Sequence, residues 1–171
     1  TRDWSSDVCS SDLVAQTTYL TAILAAGGLS GFAWASHVLS RGADPFRMAC
    51  RGAWVGIPAF AAVIISAPQA SATLFSLGVF FIGYGAGLFG HGTLTATMNS
   101  APSGEAGLAL GAWGAVQAST AGVAMALGGI VRDVAAQFVD SASAYSLVYS
   151  LEILLLVSTV LIMSPLVKVK P

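Results

Sequence analysis

The sequence predicts an all-α fold, a polytopic bundle of five transmembrane helices. Three observations lead there. Of 171 residues, 56% are hydrophobic and only 9% are charged, with 19 glycines besides; a soluble domain carries about 25% charged residues. Mean hydropathy is +0.78. The apolar residues also fall into runs long enough to cross a bilayer, which takes about 20 residues for roughly 30 Å of hydrocarbon. The same composition excludes a disordered chain, a disulfide scaffold and a basic nucleic-acid binder, since the net charge is −1 and there are two cysteines.

Residues 1–13 stand apart. TRDWSSDVCSSDL holds four of the chain's charges and four serines, and it resembles a translated sequencing-adapter scar. It is acidic, where a secretory signal has a positive start and an apolar centre. Cys9 lies within it. Cys50 is then left alone, and one thiol forms neither an internal bridge nor a metal site, so it is expected simply to pack.

Residues 14–171 read as a partial C-terminal transmembrane domain. Residues 14–39 contain no Asp, Glu, Lys or Arg and form the first span, with His37 at its inner, interfacial end. Residues 48–66 form the second, with Arg51 near enough to its start to snorkel to the interface. Residues 73–98 and 108–131 are uncharged throughout, and the fourth span stops at Arg132-Asp133. That pair reads as a charge stop with its own neutralising partner. Residues 146–167 form the fifth span, interrupted only by Glu152 and followed by Lys168 and Lys170. Between spans lie turn-forming strings: SRGADP at 40–45, APQ at 67–69 and NSAPSG at 99–104.

Five antiparallel spans put the 40–47 loop, the 99–107 loop and the C-terminus on one side. Arg41, Arg47, Arg51, Lys168 and Lys170 fall there, and on the other side, leaving out residues 1–13, only Arg132. The positive-inside rule makes the richer side cytoplasmic. An odd number of spans behind a polar segment leads us to expect further helices upstream. Gly27-x-x-x-Gly31, Gly83-x-x-x-Gly87 and Gly107-x-x-x-Gly111 each offer a flat face for close helix packing.

Polar groups inside a bilayer are costly and mark candidate sites. Tyr84, Leu88, His91 and Thr95 recur at offsets of four, three and four, which places them on one helix face. Trp113, Gln117, Thr120 and Ala124 share that spacing, as do Tyr145, Tyr149 and Glu152. Three helices thus offer a polar or aromatic stripe to the interior or to a cavity. His91 either bonds a neighbouring carbonyl or Thr hydroxyl, or serves as a proton carrier or an axial metal ligand, including to the magnesium of a chlorophyll. Gln117 suits an interhelical hydrogen bond or a ligand contact. Glu152 sits six residues into its helix, about 9 Å at 1.5 Å per residue, as a tyrosine-bonded interface carboxylate or a protonatable relay. His91 and Glu152 lie of order 10 Å apart along a ~30 Å core, so they are not a direct pair. No metal-ligand set, phosphate loop or nucleophile–base arrangement is present, and no enzyme is expected.

The strings GHGTLTATMN at 90–99, GLALGAWGAVQA at 107–118 and GVAMALGGIVRD at 122–133 resemble the PucC-type proteins, the bacteriochlorophyll-delivery branch of the major facilitator superfamily. Arg41-Gly42 with Asp44-Pro45, and Tyr149 with Glu152, extend the likeness over 14–167. The resemblance implies a twelve-helix facilitator fold of which this chain supplies about helices eight to twelve. It implies a role in assembling antenna complexes in the inner or intracytoplasmic membrane of phototrophic bacteria. No covalent cofactor is implied; bacteriochlorophyll would be bound cargo, and antenna polypeptides and the missing N-terminal helices would be partners. His91, Thr95, Trp113, Gln117, Tyr149 and Glu152 are the candidate pigment- or substrate-binding residues, and Arg132 with Asp133 a structural charge pair. A proton-coupled transporter of a small molecule, using Glu152 and His91, is the alternative. The basic 41–51 loop is degenerate against the superfamily's inner-loop motif, which argues against alternating-access gating.

Overall fold

Capping chemistry sets where the helices begin. In the computed structural model, which describes residues 4–167, with side chains from residue 14, Asp44 turns the chain into a helix headed by Pro45. Its Oδ1 accepts from the Phe46 N–H at 2.8 Å and the Arg47 N–H at 3.4 Å, satisfying donors that the first turn leaves orphaned. Ser71 caps the next helix through the Leu74 N–H at 3.3 Å. Asp140 caps the last, accepting from both the amide and the hydroxyl of Ser143. Those two bonds hold the Asp140 carboxyl below the ordinary carboxylate range.

The elements are α1 (Trp4–Leu39), α2 (Pro45–Ser66), α3 (Ala72–Ser100), α4 (Ala106–Ala135) and α5 (Ser141–Met163), then a 3₁₀ turn at Ser164–Leu166. The all-helical expectation holds: among the described residues there is no strand, and all five helices are long and apolar enough to span a membrane. This is a multi-pass membrane protein. Apolar runs alone place the starts of α2 and α5 three and five residues late, because caps rather than hydropathy fix them. The α4 helix runs past 131, so Arg132 and Asp133 lie in its last turns. Pro165 converts the end of α5 to a 3₁₀ turn. The helix of α1 reaches back to Trp4; the side chains of 1–13, Cys9 among them, lie outside the described residues, as do Lys168 and Lys170.

The organising element is α3, with α1 on one flank and α2 on the other, while α1 and α2 scarcely meet. In turn α5 packs on α2, and α4 lies at the edge, touching α5 and α3 lightly. Two glycine seams permit this closeness. On the first, Gly27 and Gly31 of α1 face the carbonyls of Phe80 and Tyr84, and Gly83 and Gly87 of α3 face the carbonyls of Leu24 and Gly28. On the second, a Cβ at Gly85 would lie 2.7 Å from the Gly52 oxygen, and one at Gly92 would lie 2.8 Å from the Pro45 oxygen. Side chains pack toward the turn between α1 and α2, where Ala35, Met48 and Leu88 form the buried cluster. Cys50 is buried on α2.

The third expected glycine face behaves differently. Gly107 and Gly111, with Gly114 and Gly122, meet nothing within 4 Å among the described residues. No residue of α4 is buried.

Candidate functional site

Helix rotation decides where each polar stripe goes, and the seams on α3 fix its rotation. With Gly83 and Gly87 against α1, His91 one turn further along lies over Phe32. The ring centroids are 4.2 Å apart with planes at 61°, an edge-to-face contact. The His91 Nδ1 is buried and has no hydrogen-bond partner among the described residues. The nearby hydroxyl does not serve it, because Thr95 donates to the His91 carbonyl at 2.8 Å within its own helix. A buried imidazole nitrogen left unpaired costs about 1–3 kcal/mol. Leu88 of the same stripe is buried in the core, and Thr95 opens onto a hollow at the loop end with Arg47, Arg51 and Asn99.

On α4, Trp113 turns its indole N–H to the Thr93 hydroxyl at 3.3 Å. Thr93 in turn shares its own proton between the carbonyls of Phe89 and Gly90. The tryptophan therefore joins α4 to α3, through a threonine off the predicted stripe. Gln117, one turn on, is half-buried and its side chain makes no hydrogen bond among the described residues. Thr120 is exposed and bonds back to the Val116 carbonyl.

On α5, Tyr149 packs between Phe60 of α2, at 6.0 Å, and Tyr145, stacked at 6.3 Å. Glu152 lines a small apolar groove between α2, α3 and α5, beside Gly52, Gly56 and Phe89. Neither tyrosine hydroxyl donates to it among the described residues. The Arg132–Asp133 ion pair is present, with Nε 2.9 Å from Oδ1. Arg132 does more than neutralise a neighbour: its Nη1 donates to the Tyr145 hydroxyl at 2.9 Å, and its guanidinium lies 5.5 Å from that ring's centre.

The six candidates thus occupy three places. His91 and Thr95 lie on α3 toward α1 and the loop end, Trp113 and Gln117 on α4, and Tyr149 and Glu152 on α5 against α2. Among the described residues no three His, Cys, Asp or Glu side chains gather as a metal site. The sequence reading missed Thr93 and the second seam. The seam's signal is the seven-residue spacing of Gly78, Gly85 and Gly92, the period of a left-handed helix crossing.

A family model described as "PUCC protein" matches residues 12–170. A protein named PucC from Rhodovulum sulfidophilum is 62% identical over 120 residues, covering 70% of this chain and 26% of that protein. PucC of Cereibacter sphaeroides is 48% identical over 160 residues, covering 91% of this chain and 35% of its own length. PucC of Rhodobacter capsulatus is 45% identical over 162 residues, with the same coverage. The chain spans about a third of the length of these relatives. No solved structure matches it.

Proposed function

The chain belongs to the PUCC protein family, and on that premise we propose that it is part of a membrane assembly factor for bacterial light-harvesting antenna complexes, binding or delivering bacteriochlorophyll. The family match over nearly the whole chain carries the reading. The described residues supply a chemical reason. A magnesium macrocycle asks for one axial nitrogen or oxygen ligand and for apolar or aromatic walls. His91 holds its ring against Phe32 with Nδ1 buried and unpaired among the described residues, so Nε2 is the nitrogen that a magnesium would approach. A neutral imidazole keeps one lone pair free for a metal while the other nitrogen holds the proton. Gln117 and Glu152, each at its own place, are the alternative magnesium or pigment-edge contacts; Thr95 is the wall residue near His91, Trp113 that near Gln117 and Tyr149 that near Glu152. The cargo is held without covalent attachment and passed to antenna helices; any axial coordination to its magnesium would be released at hand-over, and no covalent bond is made or broken.

In this reading the protein resides in the inner or intracytoplasmic photosynthetic membrane with its C-terminus in the cytoplasm, as the loop charges direct. The rest of the protein's helices, within a facilitator-type fold, complete the cavity, and antenna polypeptides are the partners.

The test is the absorption spectrum of the full-length protein purified gently from pigmented membranes, beside His91→Ala and Glu152→Gln at equal protein. Bound bacteriochlorophyll that falls at least several-fold in His91→Ala alone is the expected result. A colourless, intact wild type overturns the reading. If pH-gradient-driven flux is then found and is lost in Glu152→Gln, the proton-coupled transporter takes its place; the Glu152 side chain in an apolar groove, without a hydrogen-bond partner among the described residues, is the observation that would carry it.

A further inference from the structure

Because α1 and α2 both pack on α3 and hardly on each other, they leave a groove between them. Its volume is about 780 Å³, with a floor of Leu77, Phe81 and Leu88 and walls that include Trp34 and Trp54. These two tryptophans are 43% and 61% exposed, so the groove is open along its side. From Leu74 to Leu88 on the floor it runs roughly 21 Å at 1.5 Å per residue. One leaflet of hydrocarbon is about 15 Å deep, half of the core.

Among the described residues Arg51 is the one charged side chain that lines the groove, and it forms no ion pair among them. The same side chain also lines the hollow at the loop end, about 850 Å³, whose other polar members include Arg47, Asn99 and Ser100. Asp44 lies there too, but its carboxylate is engaged by the first amides of α2. A cation therefore stands where an apolar channel meets a polar chamber, one and a half turns inside the start of α2.

We propose that this groove binds a membrane phospholipid with an anionic headgroup, its phosphate at Arg51 and one acyl chain laid along the groove toward Leu74. The two halves of the site match the two halves of such a molecule. At roughly 21 Å the groove is more than long enough for the acyl region of one leaflet, about 15 Å, its lining apart from Arg51 is apolar or aromatic, and tryptophans sit near its headgroup end, as they do at bilayer interfaces. Basic pockets between transmembrane helices on the cytoplasmic side hold anionic headgroups by this chemistry. The groove takes in Tyr84 and Leu88 of the stripe that carries His91, but His91 itself is not among its lining residues, and the inference stands independently of the pigment reading.

The experiment uses the full-length protein in nanodiscs of phosphatidylcholine containing a minor share of phosphatidylglycerol, with retained lipid counted by native mass spectrometry. Wild type is expected to retain phosphatidylglycerol preferentially. Arg51→Gln is expected to lower that preference about fivefold, the equivalent of ~1 kcal/mol for one basic residue near an anionic surface, while Arg51→Lys keeps most of it. Ala62→Phe, which fills the groove, is expected to reduce retention of both lipids. A photo-crosslinker at position 54 is expected to capture lipid. The proposal is overturned if wild type shows no preference, if the preference survives Arg51→Gln, or if the crosslinker joins another helix of the protein instead. Should Ala62→Phe fail to fold, the Arg51 pair and the crosslink still decide.

Discussion

At Gly83 a methyl group in place of a hydrogen would run into the carbonyl of Leu24, a backbone atom that cannot swing aside. At Gly107 the same methyl would meet nothing. The two glycines look alike in sequence, each opening a G-x-x-x-G pair, so they form a controlled comparison. Gly83→Ala is expected to destabilise the α1–α3 contact by about 1–3 kcal/mol, the usual cost of overpacking. Gly107→Ala is expected to stay within about 0.5 kcal/mol, as for a substitution that touches nothing. Reversible unfolding of the full-length protein in mixed micelles reads both, and equal losses would sink the assignment of the first seam. His91 shows the limit of residue-level reading. Its place on a polar stripe was legible from spacing, but the ring of Phe32 and the missing hydrogen bond were not, since both depend on how α1 lies across α3.

At the level of elements, the apolar runs identified all five helices, and the cap residues Asp44 and Asp140 explain where they begin. Which faces meet was only partly legible. The four-residue glycine pairs on α1 and α3 found each other, whereas the seven-residue series on α3 went unread and the pair at 107 and 111 found no partner. The most weakly held element is α4, with no buried residue and two side-chain hydrogen bonds to other helices among the described residues, Trp113 to Thr93 and Arg132 to Tyr145. Local stability follows such contacts. Amide exchange in α4 is therefore expected to run faster than in α2 and α3, and Tyr145→Phe is expected to speed it further at the C-terminal end of α4 near 128–135. Protection of α4 equal to that of α3 in the full-length protein would mean that its open glycine face is covered by another segment.

For the whole molecule, the proposed orientation, with the C-terminus in the cytoplasm, can be tested chemically. Single cysteines at Ser40 or Ser103, in the full-length protein with its native thiols replaced, are expected to react with a membrane-impermeant maleimide only from the cytoplasmic side. Those at Gln69 or Gln137 are expected to react only from the other. A reversed pattern would overturn the orientation while leaving the fold untouched. Bundle architecture was legible because bilayer length and composition leave few alternatives. The candidate site was less so, because stripes on separate helices converge only if the rotations of those helices bring them together, and here they point to three places. The first seam also has a consequence for chain length. Gly27 and Gly31 face the peptides at 80 and 84, while Gly83 and Gly87 face those at 24 and 28. One residue added or removed inside either stretch turns everything beyond it by about 100° around the helix and swings a bulky neighbour into the slot. The 67–71 turn can absorb such a change; the seam cannot. For α1 and α3, length is held more strictly than side-chain identity.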